Sequence, residues 1–390
     1  MAESYRSRGA SADKAEVHAA VAGLDAGLYP GAFCTILPDP AGDPTAAAVL
    51  HADGAGTKAI VAYLVHRETG RTDVYEGIAQ DAAVMNVDDL LCVGATDGFL
   101  LSNAIARNAH RVDGSVVAAV VRGYERFADA LRPFGIGVTL AGGETADVGD
   151  VVQTLLVDST VFARLPRDRV VDASRLRGGE AIVGLSSTGR AAWERADNSG
   201  IGANGLTLAR HVLLRREYAE RYPETCSPTV PADRAYQGRF RLDDALPGAT
   251  MTVGDALLSP TRTYAPVVKA VLDRCREAVR AIIHCTGGGQ TKCLRFGRGV
   301  HVVKHALFPT PPVFRAVMEA GAVPLREMFQ VFNMGHRMEV YCDPAAAETV
   351  IGLARGLGVD AQVVGEVRRA ATDANRLTIV ADGGDLEYPD

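Results

Sequence analysis

Short apolar runs alternate with helical segments along most of this chain, a pattern that is typical of α/β or α+β folds. A polar N-terminal stretch precedes a helix-like segment at residues 12–24. The alternation then runs from residue 46 to about residue 165. We therefore expect an N-terminal arm over residues 1–45, followed by a first α/β domain over residues 46–168.

A second α/β domain is predicted over residues 169–390. A run rich in Val, Leu and Thr at residues 151–162 predicts the strand that ends the first domain, and residues 166–169 are a predicted linker. A polar insert at residues 190–202 follows the first strand of the second domain. Strands are predicted at residues 181–185, 337–342, 361–367 and 377–381. Helices are predicted at residues 206–214, 263–279, 313–320 and 345–357.

Composition argues against several classes of protein. With 390 residues, of which 47% are hydrophobic and 23% charged, the chain can bury two cores. Its net charge of −6 argues against nucleic-acid binding, which needs clustered Lys and Arg. The seven cysteines form no Cys-x-x-Cys pair, so we expect reduced thiols in a cytoplasmic protein. No run approaches the roughly 18 apolar residues that span a bilayer, so neither membrane insertion nor secretion is expected.

The first segment with candidate chemistry follows an apolar strand-like run at residues 51–58. Gly54 and Gly56 allow the backbone to approach a ligand and to present its N–H groups to an anion. Lys58 adds a positive charge, and Asp53 adds a hard oxygen ligand. The segment favours phosphate binding, but its spacing matches neither the Walker nor the dinucleotide-binding motif. A tight turn with a surface lysine explains it equally well.

Acidic residues in two further segments strengthen the case for a bound cation. Asp81 and Asp88 lie seven residues apart in a helical pattern, so both carboxylates fall on one face, where they repel unless a cation is near. A solvated acidic helix end is the alternative. Glu144 and Asp147 belong to a glycine-rich segment at residues 142–147, which alone could be a hairpin turn. Together the three segments predict a site for a nucleotide and Mg²⁺, which binds carboxylates and phosphates.

These motifs resemble those of the aminoimidazole ribonucleotide synthetase family. Its ATP-binding half is matched by Asp-Gly-x-Gly-Thr-Lys at residues 53–58, Asp-Asp-Leu at residues 88–90 and Gly-Gly-Glu-Thr-Ala-Asp at residues 142–147. Its second half is matched by Ala-Asn-Gly-Leu at 203–206, Leu-Ser-Pro-Thr-Arg-Thr-Tyr at 258–264, His-Cys-Thr-Gly-Gly-Gly at 284–289 and Phe-Asn-Met-Gly at 332–335. The resemblance covers nearly the whole chain, and the seven ordered motifs are more specific together than any one alone.

The resemblance implies a fold, a reaction and an assembly. The fold is a two-domain α/β (α+β) architecture, whose N-terminal domains pair in a homodimer around a central β-barrel. The reaction is the ATP-dependent cyclisation of formylglycinamidine ribonucleotide to aminoimidazole ribonucleotide in purine biosynthesis, with release of ADP and phosphate. ATP and Mg²⁺ are therefore expected to bind, and no nucleic acid or membrane is expected as a partner.

The resemblance also assigns roles to individual residues. Mg²⁺ is expected at Asp53, Asp89, Glu144 and Asp147. The nucleotide is expected at Gly54, Gly56, Thr57, Lys58, Asp81, Asp89, Gly142, Gly143, Glu144 and Thr145. The substrate is expected at Asn204, Gly205, Thr261, Arg262, Gly287, Gly288, Gly289 and Asn333. Catalysis is expected to involve Asp53 and Lys58, with Lys58 stabilising the γ-phosphate; His336, which departs from the family pattern, is a further catalytic candidate.

Several positions depart from the family pattern and indicate a divergent branch. Most members carry His where this chain has Gly202, which follows about ten inserted residues at 190–200. His336 is a candidate replacement, since imidazole can donate a proton and hold phosphate, although a packed histidine at the start of a strand explains it equally well. Asp88 replaces the usual Asn, and Arg6 replaces a Lys in the N-terminal arm.

Two alternatives to the cyclo-ligase remain open at the level of sequence. The first is another ATP-dependent enzyme of the same fold, such as thiamine-monophosphate kinase, selenophosphate synthetase or formylglycinamidine synthetase. Selenophosphate synthetase is disfavoured because Cys34, the first cysteine, does not lie in a glycine-rich loop. The second is a non-catalytic binding paralogue, which the retained Asp53, Lys58, Asp89 and Glu144 argue against.

Overall fold

The computed structural model describes residues 3–10, 15–21, 23–381 and 383–389. Its strands form two sheets, one in each half of the chain. Neither sheet closes into a barrel within the described residues, so the pairing of N-terminal domains around a barrel stays a prediction. No described helix combines the length and the apolar character needed to cross a bilayer.

The first sheet has five strands in the order β1-β2-β5-β3-β4. They are β1 (Ile36–Pro38), β2 (Ala46–Gly54), β3 (Phe99–Arg107), β4 (Val138–Asp147) and β5 (Leu155–Pro166). Strand β5 pairs antiparallel with both β2 and β3, and β3 pairs parallel with β4. The helices of this half are α1 (Glu3–Arg6), α2 (Ala15–Val21), α3 (Lys58–Thr69), α4 (Val74–Leu91) and α5 (Gly114–Leu131).

Helices cover one face of this sheet and leave the other open. Helix α4 packs on β2 and β5, and α5 packs on α4 and β4. The apolar residues Val49, Leu101 and Val161 point into this core and are fully buried. Leu50 and Leu100, which alternate with them along the strands, are exposed, and nearly all of β4 is exposed.

The second sheet has seven strands in the order β12-β11-β8-β10-β6-β9-β7. They are β6 (Ala181–Ser186), β7 (Val279–His284), β8 (Val300–Lys304), β9 (His336–Cys342), β10 (Ala361–Arg369), β11 (Arg376–Ile379) and β12 (Leu386–Pro389). The helices of this half are α6 (Leu206–Leu213), α7 (Glu217–Arg221), α8 (Val253–Leu258), α9 (Ala265–Cys275), α10 (Pro312–Gly321), α11 (Leu325–Val331) and α12 (Ala347–Gly356). Every residue of β6 and β9 is buried.

Helix α4 lies between the two halves of the chain. It packs on the first sheet and also contacts α9 and β7 of the second half. Because it is covered from both sides, its polar residues Asp81, Asn86, Asp88 and Asp89 are all buried. These acids therefore do not form a solvated helix end.

Most of the strands and helices predicted from the sequence lie close to elements of the structure. The predicted strand at 151–162 begins at Leu155 and continues to Pro166, so most of the predicted linker is a short 3-10 turn, Arg167–Arg169. The predicted helix at 263–279 ends at Cys275, because Val279 already begins β7. In the second half, strands β8 and β12 and helices α7, α8 and α11 were not predicted. The predicted helix at 12–24 lies partly outside the described residues, where α2 is its described part.

Candidate active site

A cavity of about 600 Å³ opens on the uncovered face of the first sheet. Strands β2, β3, β4 and β5 supply its lining, and we call it the sheet cavity. Its lining residues are Ala52, Asp53, Gly54, Ser102, Asn103, Ala104, Gly143, Glu144, Asp158, Ser159 and Thr160.

Strand register brings two predicted motifs into this cavity. Asp53 of β2 lies in register with Ser159 of β5, which lies in register with Asn103 of β3. Asn103 lies in register with Gly143 of β4, and the next pair along the two strands is Ala104 with Glu144. The sheet therefore unites the glycine and acid motifs at residues 53–58 and 142–147, which are far apart in the sequence.

The sheet cavity is acidic. Its lining contains the carboxyl groups of Asp53, Glu144 and Asp158, and no Lys or Arg from the described part of the chain. Burial raises the pKa of Asp158 above its ordinary value. Carboxylate oxygens are suitable ligands for a divalent cation, and a phosphate group needs such a cation to approach them. The sequence analysis missed Asp158, which lies inside a strand-like run.

Two glycines of the cavity are explained by close contacts between strands. A Cβ atom on Gly54 would lie 1.7 Å from Asp158 Oδ1, and one on Gly143 would lie 2.5 Å from the main-chain oxygen of Asn103. Gly142 differs, since its φ of +88° is the reason for glycine there and the space around it is open. The neighbouring strands therefore account for Gly54 and Gly143 without any ligand.

The structure does not bring Lys58 to the sheet cavity. Lys58 begins α3 and is fully buried, and its Nζ donates to Asp81 Oδ1 at 2.8 Å and to the main-chain oxygen of Ser259 at 2.5 Å. The main-chain N–H of Thr261 donates to the same Asp81 oxygen at 2.8 Å. Burial lowers the pKa of Lys58 and raises that of Asp81, while their mutual attraction opposes both shifts. Lys58, Asp81 and Thr261 thus join both halves of the chain, and their expected ligand roles stay predictions.

Other residues of the predicted nucleotide site also lie outside the cavity lining. Asp147 pairs with Arg107 at 2.7 Å on the exposed part of β4. The hydroxyl groups of Thr57 and Thr207 lie 2.8 Å apart, which links the start of α3 to α6. The other predicted nucleotide residues outside the lining are Gly56, Asp89, Gly142 and Thr145.

Two of the predicted substrate residues hold the insert against the second sheet. Arg262 is buried and makes two hydrogen bonds to the carboxylate of Glu194, at 2.9 Å from Nε and 2.5 Å from Nη2. Its Nη1 donates to the main-chain oxygens of Ser186 and Thr188. Asn333 is also buried, and its Nδ2 donates to the main-chain oxygen of Gly200 at 2.8 Å. These contacts leave both side chains with structural partners.

The other predicted substrate residues lie at the starts of short helical segments. Gly205 precedes α6 with a φ of +77°, and the buried Oδ1 of Asn204 has no hydrogen-bond partner among the described residues. Gly288 and Gly289, with Gly287 before them, lead into a 3-10 helix over Gly289–Arg295. The Nζ of Lys292 in that helix lies 3.5 Å from Thr286 Oγ1, which places a positive charge beside the glycine segment.

His336 is a packed residue at the start of β9. It is almost fully buried, and its Nε2 lies 2.9 Å from Glu339 Oε1, an atom that also pairs with Lys304 at 2.5 Å. Burial lowers the pKa of His336, although Glu339 opposes the shift. The structure thus places His336 inside a buried ionic cluster, which matches the packed histidine considered as the alternative.

Arg337 occupies the space beside Gly202. A Cβ atom on Gly202 would lie 2.9 Å from Arg337 Nη1, and Gly202 has a φ of +68°. Arg337 is 2% exposed, and its buried Nε has no hydrogen-bond partner among the described residues. A histidine at position 202 would therefore collide with Arg337. The sequence analysis missed Arg337, although a charged residue in a buried strand is an unusual feature.

Asp89 lies outside the sheet cavity, in a cluster between the two halves. Its Oδ1 lies 2.7 Å from Nδ1 of His284, and its Oδ2 lies 3.4 Å from Nε2 of His51. The sulfur of Cys34 lies 3.4 Å from the main-chain oxygen of Asp89. Nearby positive charge and the hydrogen bond from His284 lower the pKa of Asp89, although burial alone would raise it.

Comparison with known proteins relates both halves of the chain to one family. Residues 25–165 match the N-terminal domain of AIR synthase related protein, and residues 177–374 match its C-terminal domain. The phosphoribosylformylglycinamidine cyclo-ligase of Methanothermobacter thermautotrophicus is 30% identical over 82% of this chain and 80% of that protein. The cyclo-ligase of Symbiobacterium thermophilum is 33% identical over 87% of this chain and 85% of that protein.

Solved structures share the fold at low sequence identity. The protein tt0281 from Thermus thermophilus has a TM-score of 0.53 at 16% identity, covering 94% of this chain and 96% of that chain. PurL of T. maritima, in complex with FGAR, has a TM-score of 0.53 at 16% identity, covering 89% of this chain and 46% of that chain. Since both domain models and relatives of 30% identity or more cover most of its length, the chain belongs to the AIR synthase related protein family.

Proposed function

We propose that this protein is an ATP-dependent phosphoribosylformylglycinamidine cyclo-ligase of purine biosynthesis. The observation that carries the proposal is its similarity to cyclo-ligases across both domains, at about 30% identity over more than four-fifths of the chain. The acidic sheet cavity, built from two motifs of the first domain, supports a role for a nucleotide and a divalent cation.

The chemistry requires activation because an amide oxygen is a poor leaving group. In the proposed reaction the γ-phosphoryl group of ATP is transferred to the formyl amide oxygen of formylglycinamidine ribonucleotide, and ADP leaves. The neighbouring amidine nitrogen then attacks the activated carbon and forms the new C–N bond. Phosphate departs with the former amide oxygen, and a proton is lost from the nitrogen. The protein mainly has to position the reactants and stabilise the transferred charge.

Mg²⁺ fits the residues that line the sheet cavity. Asp53, Glu144 and Asp158 offer carboxylate oxygens, and none of the described lining residues carries a positive charge that would repel a cation. When bound, Mg²⁺ would neutralise the phosphate oxygens of ATP. Asp89 and Asp147 do not line this cavity, so Asp158 is the better third candidate for the metal.

The substrate phosphate is proposed to bind near the glycine segment at residues 287–289. Lys292, one turn further along, lies close to Thr286 and to the ring of Phe33. A positive charge beside glycine N–H groups is a favourable place for a phosphate group. Residues 285–289 also follow β7 directly, at the junction between the two halves.

A homodimer is proposed through the open face of the first sheet. Leu50 and Leu100 are 57% and 44% exposed, and both lie in register with Phe162. Strand β4 is an exposed edge of ten residues, which natural proteins usually cover.

We expect Leu100→Glu to give a monomer in light scattering, whereas Val380→Glu, at an exposed site of the second half, leaves a dimer. Equal masses for the two variants would place the interface elsewhere.

The reaction is tested by measuring both products with purified protein. We expect ADP and aminoimidazole ribonucleotide, detected as a coloured diazo product, in equal amounts and only when Mg²⁺, ATP and substrate are all present. Asp53→Asn should reduce the rate by at least about a hundredfold, whereas Asp273→Asn on the exposed surface of α9 should not. ADP without the second product would point to another acceptor, and neither product would point to a non-catalytic paralogue.

A further inference from the structure

Three side chains of different chemistry meet between the two halves of the chain, beneath the first sheet. Cys34 precedes β1, His51 belongs to β2, and Asp89 lies near the end of α4. One ligand-type atom from each lies within 4.8 Å of the other two. Cys34 and Asp89 are buried, and His51 keeps 26% of its side chain exposed. None of the three lines the sheet cavity.

The hydrogen bonds of Asn86 define the protonation of His51. The Nδ2 of Asn86 donates to the main-chain oxygens of Asp53, Ala82 and Ser159, at 3.0, 2.9 and 3.1 Å. Its Oδ1 therefore faces His51 Nδ1, at 2.9 Å, as an acceptor. His51 Nδ1 must carry a hydrogen, so in the neutral imidazole Nε2 has a free lone pair.

This lone pair faces a carboxylate. His51 Nε2 lies 3.4 Å from Asp89 Oδ2, and both atoms are acceptors when the histidine is neutral. Two acceptors at this distance repel each other unless a cation or a proton lies between them. The Cys34 thiol beside them is a third group that binds cations once it is deprotonated.

The proposed nitrogen ligand, His51, and the proposed oxygen ligand, Asp89, each have a buried partner that orients them. Asn86 holds His51, and Nδ1 of His284 lies 2.7 Å from Asp89 Oδ1. Because a carboxylate only accepts, His284 must donate this hydrogen bond. Metal centres in proteins commonly have such partners behind their ligands.

The distances and atom types favour Zn²⁺ over Mg²⁺. Two ligand atoms bound at about 2.0 Å to a tetrahedral zinc ion lie about 3.3 Å apart, which is close to the 3.4 Å between His51 Nε2 and Asp89 Oδ2. Zinc also accepts a thiolate together with imidazole and carboxylate, whereas Mg²⁺ prefers oxygen.

We propose that Cys34, His51 and Asp89 form a three-ligand Zn²⁺ site whose fourth position is open to water or to a substrate group. Binding displaces the thiol proton of Cys34, whose sulfur lies 3.4 Å from the main-chain oxygen of Asp89 in this structure. Zinc binding itself does not depend on the proposed reaction.

Co²⁺ provides a spectroscopic probe for this site, since it takes the same tetrahedral ligands and reports a thiolate by a charge-transfer band. We expect metal-free full-length protein to bind one Co²⁺ per chain, to show that band and to lose it when Zn²⁺ is added. Cys34→Ser should remove the band, and His51→Gln should weaken Co²⁺ binding by at least about tenfold. Cys226→Ser, at a half-buried cysteine of the second half, is the matched control and should keep the band.

Circular dichroism of each variant distinguishes loss of a ligand from loss of the fold. His51→Gln keeps a polar side chain at a partly exposed site, so it tests the site even if Cys34→Ser unfolds. Wild-type protein without a charge-transfer band, or an unchanged band in folded Cys34→Ser, would overturn the zinc site. Either result leaves the assay for ADP and aminoimidazole ribonucleotide unaffected.

Discussion

Replacing Lys58 with Met is expected to destabilise the protein strongly. Lys58 and Asp81 form an ion pair of 2.8 Å in which neither side chain is exposed. In Lys58→Met the carboxylate of Asp81 keeps its hydrogen bonds from Thr261 but loses its only nearby positive partner among the described residues. Removing one member of a buried pair costs about 3–5 kcal/mol, because the other charge is left uncompensated.

Urea denaturation followed by fluorescence and circular dichroism measures this loss. The single tryptophan, Trp193, packs against Phe134 and reports on the contact between the insert and the first half. Lys269→Met is the matched control, since Lys269 forms a partly exposed pair of 2.8 Å with Asp273. That control should cost no more than about 0.5 kcal/mol.

A double variant separates lost charge balance from lost packing. Lys58→Met combined with Asp81→Leu removes both charges, and such replacements of buried pairs are close to neutral in stability. We expect the double variant to recover most of the loss seen in Lys58→Met. The reasoning is refuted if Lys58→Met is as stable as Lys269→Met, which would mean that Lys58 is free to contact a nucleotide.

Three further predictions follow from the cavity, from Gly202 and from a buried histidine. Asp158→Asn should raise the Mg²⁺ concentration needed for half-maximal ADP release by about tenfold or more, because it removes a carboxylate of the sheet cavity. Gly202→His should lower the free energy of unfolding, measured by urea denaturation, by at least about 1–2 kcal/mol from its positive φ alone. Adding Arg337→Gly should recover the part of the loss that comes from the steric clash with Arg337. Burial lowers the pKa of His211 to about 2, so the folded protein keeps it neutral while the unfolded chain binds a proton below about pH 6.5. Its contribution to the free energy of unfolding is therefore present above pH 6.5 and is lost as the pH falls, by about 2 kcal/mol between pH 7 and pH 5. His211→Asn should remove this part of the pH dependence, as measured by urea denaturation.

Several residues of the sheet cavity belong to short motifs that the sequence analysis had singled out. Asp53, Gly143 and Glu144 stood out as acids and glycines next to apolar runs, and the sheet brings them to one cavity. Asp158 belongs to the same cavity but was missed, because it lies in the middle of a run that reads as a strand. Its signal is a single acidic residue on the open face of a mainly apolar strand.

Long-range burial explains which contacts the sequence analysis did not foresee. Lys58 and Asp81 were recognised as a cation and an acid, but their partners Ser259 and Thr261 lie about 180 residues away from Asp81 in the sequence. No local pattern shows that the second half covers α4 and turns its acids into buried groups. The same holds for Arg337, which fills the space beside Gly202 from a distant strand.

The most direct test of the proposed reaction follows the oxygen atom that phosphorylation would remove. Formylglycinamidine ribonucleotide labelled with ¹⁸O in its formyl amide is incubated with the protein, Mg²⁺ and ATP, and the released phosphate is analysed by mass spectrometry. We expect one ¹⁸O atom in each phosphate, formed together with one aminoimidazole ribonucleotide. Unlabelled phosphate, or no aminoimidazole ribonucleotide at all, would contradict ATP-dependent ring closure by this protein.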